Sequence, residues 1–174
     1  MIGTALAPDH TDYLASRTVA AEITVKLSSS VQAPLHRVFE AMTDPDQVAE
    51  WWGPEGFTCP DVTLEVRVGG AYRIAMQPPE GELFHLVGEY VEVSPPSRLA
   101  YTFRWEPPDP EDQETVARLA MRERAGATEI ELTQGPFATE ARRDGCDHGR
   151  SNLCNRRQRE YLFAPGRAGG GCHR

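Results

Sequence analysis

Apolar and polar positions alternate with a period of two over most of this chain. Between Ala20 and Ser30, Ile23, Val25 and Leu27 alternate with Glu22, Thr24 and Lys26, the pattern of a strand with one wet face. The period then changes. Pro34 stands where a first helical residue would, and Leu35, Val38, Phe39 and Met42 recur at i, i+3, i+4 and i+7, the stripe of a short amphipathic helix. Thr43-Asp44-Pro45 ends it. Asp44 can cap a second helix, with Pro45 at its first position, Gln47 at capping-box spacing, and Val48, Trp51 and Trp52 on its buried side. Gly53-Pro54 stops that helix.

From Asp61 to about Leu132 the pattern is again strand and turn. Val62 to Val66, Ala71 to Gln77, Glu82 to Val93, Leu99 to Glu106, Glu114 to Glu123 and Thr128 to Thr133 are six further strands, separated by Gly- and Pro-rich turns and by a Pro- and Asp-rich linker at 107–112. Short turns between consecutive strands predict an antiparallel meander. A sheet with one apolar face must be covered. After Gly135-Pro136 the chain turns helical, and the segment from Gly149 to Phe163 is the candidate of adequate length. Its apolar positions, Leu153, Cys154, Tyr161, Leu162 and Phe163, are interrupted by Arg150, Arg156 and Arg157, so this helix is expected to cover the sheet poorly. Residues 1–17 read as a disordered leader, 18–163 as one domain, and 164–174 as a disordered, Gly-rich tail.

At 174 residues the chain suits one domain that buries its own core. Its net charge of −8 argues against nucleic acid or an anionic membrane as partner. From Ala141 onward, eight arginines oppose three acids, but the arginines from Arg142 to Arg159 have no aromatic residues interleaved as stacking platforms, so the basic end reads as a solvated tail. Of the four cysteines (Cys59, Cys146, Cys154 and Cys172), three crowd toward the end, which makes a poor disulfide framework. With no signal peptide and no apolar run of span length, a cytoplasmic protein with reduced thiols is expected. Cys146, Asp147 and His148, with Cys154, Cys172 and His173, match no zinc-finger spacing, and neither a metal nor a cofactor is expected.

The segment from Ala41 to Thr58, with Asp44-Pro45 followed by Trp51-Trp52-Gly53-Pro54, resembles the bacterial branch of the family named for homology to the activator of the heat shock protein 90 ATPase. Val68-Gly69-Gly70-Ala71-Tyr72-Arg73, Gly88 to Leu99, Tyr101 to Glu106 and Thr128 to Thr133 extend the likeness, which spans about Ala20 to Gly149. The resemblance implies an α+β helix-grip fold of the START/birch-allergen-like (SRPBCC) superfamily, a curved antiparallel sheet wrapped around a long C-terminal helix with an apolar pocket between them. The chain departs from the family after His148-Gly149, where a tryptophan and a leucine-rich helix usually follow and this sequence has Arg150.

Strand alternation groups Leu99, Tyr101, Phe103 and Trp105 on one face, and Tyr72, Ile74 and Met76 on another such face. With Trp51, Trp52 and Phe57 these aromatics read either as a solid core or, as the resemblance implies, as the lining of a cavity for a small apolar molecule. Trp51 and Trp52 point about 100° apart on a helix, so one should pack in the core and the other at the pocket mouth. The strand from Glu82 to Val93 is ambiguous. Leu83, Val87, Val91 and Val93 share a face with His85 and Glu89, whereas Phe84, Leu86 and Tyr90 share the other.

Three functions are compatible with this pattern. The first is ligand binding, with His85 as an added polar contact. The second is a polyketide cyclase- or dehydratase-like enzyme, which requires His85 or Glu89 to point inward as general base. The third is a co-chaperone-like module that binds protein through an exposed surface. A helix that fails to close over the sheet would also expose its aromatics and invite a homodimer.

Overall fold

A computed structural model describes residues 22–147 except 55, 109, 111 and 112. The strands are β1 (Val25–Val31), β2 (Val62–Leu64), β3 (Ala71–Met76), β4 (Phe84–Ser94), β5 (Arg98–Glu106), β6 (Thr115–Arg124) and β7 (Ala127–Gly135). They form one curved sheet in the order β1-β7-β6-β5-β4-β3-β2, with every neighbouring pair antiparallel. Strands β2 to β7 are the meander, and β1 closes onto the last of them. β1 begins at Val25 and β2 ends at Leu64, so both are shorter than the alternation alone predicts.

Two short helices, α1 (Leu35–Thr43) and α2 (Pro45–Trp51), lie between β1 and β2. Asp44 Oδ1 accepts the Gln47 backbone N–H at 3.0 Å, the cap that the sequence spacing predicts. Val38, Phe39 and Met42 of α1 and Val48 and Trp51 of α2 are buried in the core, against Tyr72, Ile74, Leu86, Tyr90, Leu99, Tyr101, Leu119 and Met121 of the sheet. The start of α1 is tied to the β6–β7 hairpin, where Thr128 Oγ1 donates to the Ala33 carbonyl at 2.8 Å.

The helix after β7, α3 (Glu140–Asp147), is short. The arginine-rich covering segment expected at 149–163 lies outside the described residues, as do the leader, the tail, and Cys154, Cys172 and His173. Among the described residues, α1 and α2 are what cover the concave face, and no helix is long and apolar enough to cross a membrane.

The ambiguity of β4 has a structural cause. Tyr90 pairs with Tyr101, but Glu92 pairs with Ala100, so one extra residue, Val91, bulges from the ladder. The bulge reverses the alternation. Phe84, Leu86 and Tyr90 face the core before it and Val93 turns toward the core after it, while Val91 is left exposed.

Candidate ligand-binding cleft

The adjacent tryptophans are the hinge between helix packing and the sheet. Their rings lie 5.1 Å apart at 52°, and both are buried, with Trp51 1 % and Trp52 4 % exposed. Trp51 Nε1 donates to the Ala41 carbonyl of α1 at 2.8 Å, so its ring locks α2 onto α1. Trp52 Nε1 has no hydrogen-bond partner among the described residues. Its backbone carbonyl accepts from the buried Cys59 thiol at 3.4 Å, which holds the chain just beyond α2.

Opposite the tryptophans stand three tyrosines from three consecutive strands. Tyr72, Tyr90 and Tyr101 pack with ring centroids 5.4, 5.7 and 6.0 Å apart, close to edge-to-face in two of the three contacts. Tyr72 Oη donates to the Thr102 carbonyl at 2.6 Å, reaching past β4 to β5. It passes over Gly88, where a Cβ would stand 2.7 Å from Tyr72 Cε1 and 2.1 Å from the Thr102 oxygen. Burial pushes the Tyr90 phenol up to about 12. It also raises Tyr72 and Tyr101, with the neighbouring phenols adding to the effect.

These shifts fix a pH dependence. The phenols ionise near 10 in the unfolded chain and higher in the folded one, so their contribution to stability is complete below pH 10; that of Tyr90 is lost as pH rises through about 12. For Tyr90 alone this is on the order of 3 kcal/mol. In a spectrophotometric alkaline titration, at least three of the five tyrosines should resist ionisation until the chain unfolds, and concentrated urea should bring them back to about 10. Ionisation of all five near 10 under native conditions would show that the tyrosine cluster is not buried.

Between the tryptophans and the tyrosines lies a cleft completed by Met42, Val48, Leu64, Ile74, Leu99 and Leu119. Its free space is about 20 Å³, enough for roughly one water, so a larger occupant must displace side chains. Met42, with an unbranched thioether chain, is suited to yield.

Of the residues singled out from sequence, Trp51, Trp52, Tyr72, Ile74 and Tyr101 meet at this cleft. Met76 and Phe103 are buried elsewhere in the core. Phe57 and Trp105 join Phe84 in a second aromatic cluster, in which Phe84 lies edge-on to both and Trp105 lies edge-on to Phe103. His85 does not belong with any of them. The bulge at Val91 leaves its face of β4 outward, where its Nδ1 is 4.0 Å from Glu106 on β5. Glu89 is on that same outer face and exposed. The cleft lining formed by the described residues does not include His85.

The outer face also carries a wet concavity of about 450 Å³ lined by Glu65, Arg73, Glu89, Arg104, Glu106 and Glu114. Arg73 pairs with Glu106 at 2.9 Å and Arg104 with Glu114 at 3.7 Å. Its two guanidiniums are each paired with a carboxylate and all four of these side chains are exposed, the condition of a solvated sheet face.

Sequence reasoning missed several contributors to the cleft. Leu119 is legible from period-two burial along β6, in which Thr115, Ala117, Leu119 and Met121 alternate inward. Tyr90 was hidden by the bulge. Among the described residues no group of three or more His, Cys, Asp or Glu side chains is placed to hold a metal ion.

Comparison with known proteins gives a consistent picture. Residues 32–157 match the family described as Activator of Hsp90 ATPase homolog 1-like protein. Protein CV1439 from Chromobacterium violaceum is 26% identical, with a TM-score of 0.65 over 78% of this chain and 94% of that one. Protein NE0264 from Nitrosomonas europaea is 23% identical, with a TM-score of 0.68 over 82% of this chain and 96% of that one. The AHSA1 protein from Silicibacter pomeroyi is 22% identical, with a TM-score of 0.64 over 75% of this chain and 94% of that one. No curated protein matches the chain.

Proposed function

The chain belongs to the Activator of Hsp90 ATPase homolog 1-like family, and from that premise we propose that it binds a small, largely apolar molecule in the cleft between α1–α2 and the concave face of the sheet. The observation that carries this reading is the lining itself, in which two tryptophans and three tyrosines converge with aliphatic side chains from α1, α2 and the sheet. Apolar walls with a few placed polar groups are the usual composition of a small-molecule site. Because the cleft is narrow, binding is coupled to a shift of Met42, Leu64 or the α2 end.

The enzyme reading is weaker. It needs an inward base, and both His85 and Glu89 lie on the outer face. A protein-docking reading draws on the family name, yet among the described residues the exposed large apolar side chains are Val68, Leu83 and Val91. That is little surface for an apolar interface.

The test is a titration with the neutral dye N-phenyl-1-naphthylamine, whose emission rises on leaving water. Leu119→Phe, which adds volume at a 5 % exposed wall position, is expected to weaken binding at least about tenfold. His85→Ala and Glu89→Ala are expected to leave it unchanged. Equal loss in all three variants, or retention in Leu119→Phe with loss in His85→Ala, would move the site to the outer face.

A further inference from the structure

The two tryptophans differ in one respect that selects among apolar ligands. Trp51 spends its indole N–H on the Ala41 carbonyl, whereas Trp52, equally buried and lining the same cleft, has an N–H with no partner among the described residues. A buried donor left unpaired costs as much as a lost hydrogen bond, and native structures rarely leave one so. We infer that the molecule taken up in this cleft carries a neutral hydrogen-bond acceptor, a ketone or ester carbonyl, which receives the Trp52 indole N–H. The inference rests on the binding reading above and adds the chemistry of the ligand to it.

The acceptor is neutral because, among the described residues, nothing in the cleft offsets a negative charge. The lining they form holds no cationic side chain, and Arg73 and Arg104 belong to the outer face, paired with Glu106 and Glu114. An anion entering such walls would lose its hydration without a counter-charge. The neighbouring phenols remain neutral as well, since burial raises the ionisation of Tyr90 and Tyr101. A hydrocarbon of the same shape would fill the space and leave the N–H stranded. A single water is the competing occupant, because the free space of about 20 Å³ admits one.

The test compares acetophenone with α-methylstyrene, planar near-isosteres that differ in C=O against C=CH2. Affinities of both are measured in the native chain and in Trp52→Phe, so that differences in hydrophobicity cancel in the ratio. The ketone-to-alkene affinity ratio is expected to fall about tenfold on Trp52→Phe. Should that variant fold poorly, the indole 1H–15N resonance of Trp52 in the native chain supplies the answer, moving downfield with acetophenone and not with α-methylstyrene. An unchanged ratio, or equal shifts with both probes, overturns the acceptor assignment while the cleft reading stands, as it would if a retained water satisfied the N–H. No saturable binding of either probe overturns both.

Discussion

Trp51→Ala is expected to lower the unfolding free energy by about 3–5 kcal/mol, the range found when a fully buried large aromatic is truncated. The side chain is 1 % exposed and belongs to both helices, packing beside Trp52 and holding the Ala41 carbonyl of α1 at 2.8 Å. Its removal leaves a cavity where α1, α2 and the sheet meet, and deprives the Ala41 carbonyl of the indole donor that ties α2 to α1. Trp51→Phe keeps most of the ring and loses the hydrogen bond, so its cost is expected to be about 1–3 kcal/mol. Urea unfolding followed by circular dichroism measures both. A loss below about 1 kcal/mol for Trp51→Ala would mean that the helices do not depend on this contact.

Gly88→Ala is the second large effect, and it arises from a close approach of backbones. A methyl group at this position would stand 2.1 Å from the Thr102 carbonyl oxygen and 2.7 Å from Tyr72 Cε1. Both neighbours are constrained, the first by its place in β5 and the second by its hydrogen bond to that same oxygen. Relief requires β4 and β5 to part or the Tyr72 ring to leave the tyrosine cluster, at a cost of about 1–3 kcal/mol or more. Tyr72→Phe, which removes only the hydroxyl, is expected to cost about 1 kcal/mol. The pair separates steric from polar effects. If Gly88→Ala unfolds at the same denaturant concentration as the native chain, the approach of Tyr72 to β5 is looser than the distances indicate.

The relation of sequence to structure follows from these same residues. Period-two alternation places all seven strands, and the Asp44–Gln47 cap is read correctly from three residues of spacing, because both signals are local. Tyr72, Ile74 and Tyr101 are assigned to one buried surface for the same reason. The phase of β4 is not local. It depends on where one residue bulges, and nothing in the run from Phe84 to Ser94 marks Val91 as that residue. The faces taken by His85 and Tyr90 both depend on it.

The roles of the tryptophans were equally beyond pattern reasoning. Helical geometry says that Trp51 and Trp52 diverge, but which of them finds a carbonyl depends on how α2 packs back on α1. Likewise, the division of the aromatic residues into a tyrosine cluster at the cleft and a Phe57–Phe84–Trp105 cluster away from it comes from strand register, since Tyr72, Tyr90 and Tyr101 are brought together by pairings across β3, β4 and β5. Period alone groups Tyr72 and Tyr101 with the apolar positions of their own strands without saying how far along the face they lie.

The central claim is that an apolar molecule sits between the tryptophan pair and the tyrosine cluster. Methyl-resolved 1H–13C spectroscopy during titration with N-phenyl-1-naphthylamine tests it most directly, because the cleft and the outer surface carry different methyl groups. Saturable shifts at Met42, Ile74, Leu99 and Leu119, with Val68, Leu83 and Val91 unmoved, are the expected result. Shifts centred on Val68, Leu83 and Val91, or none at any methyl while the dye still brightens, would contradict it.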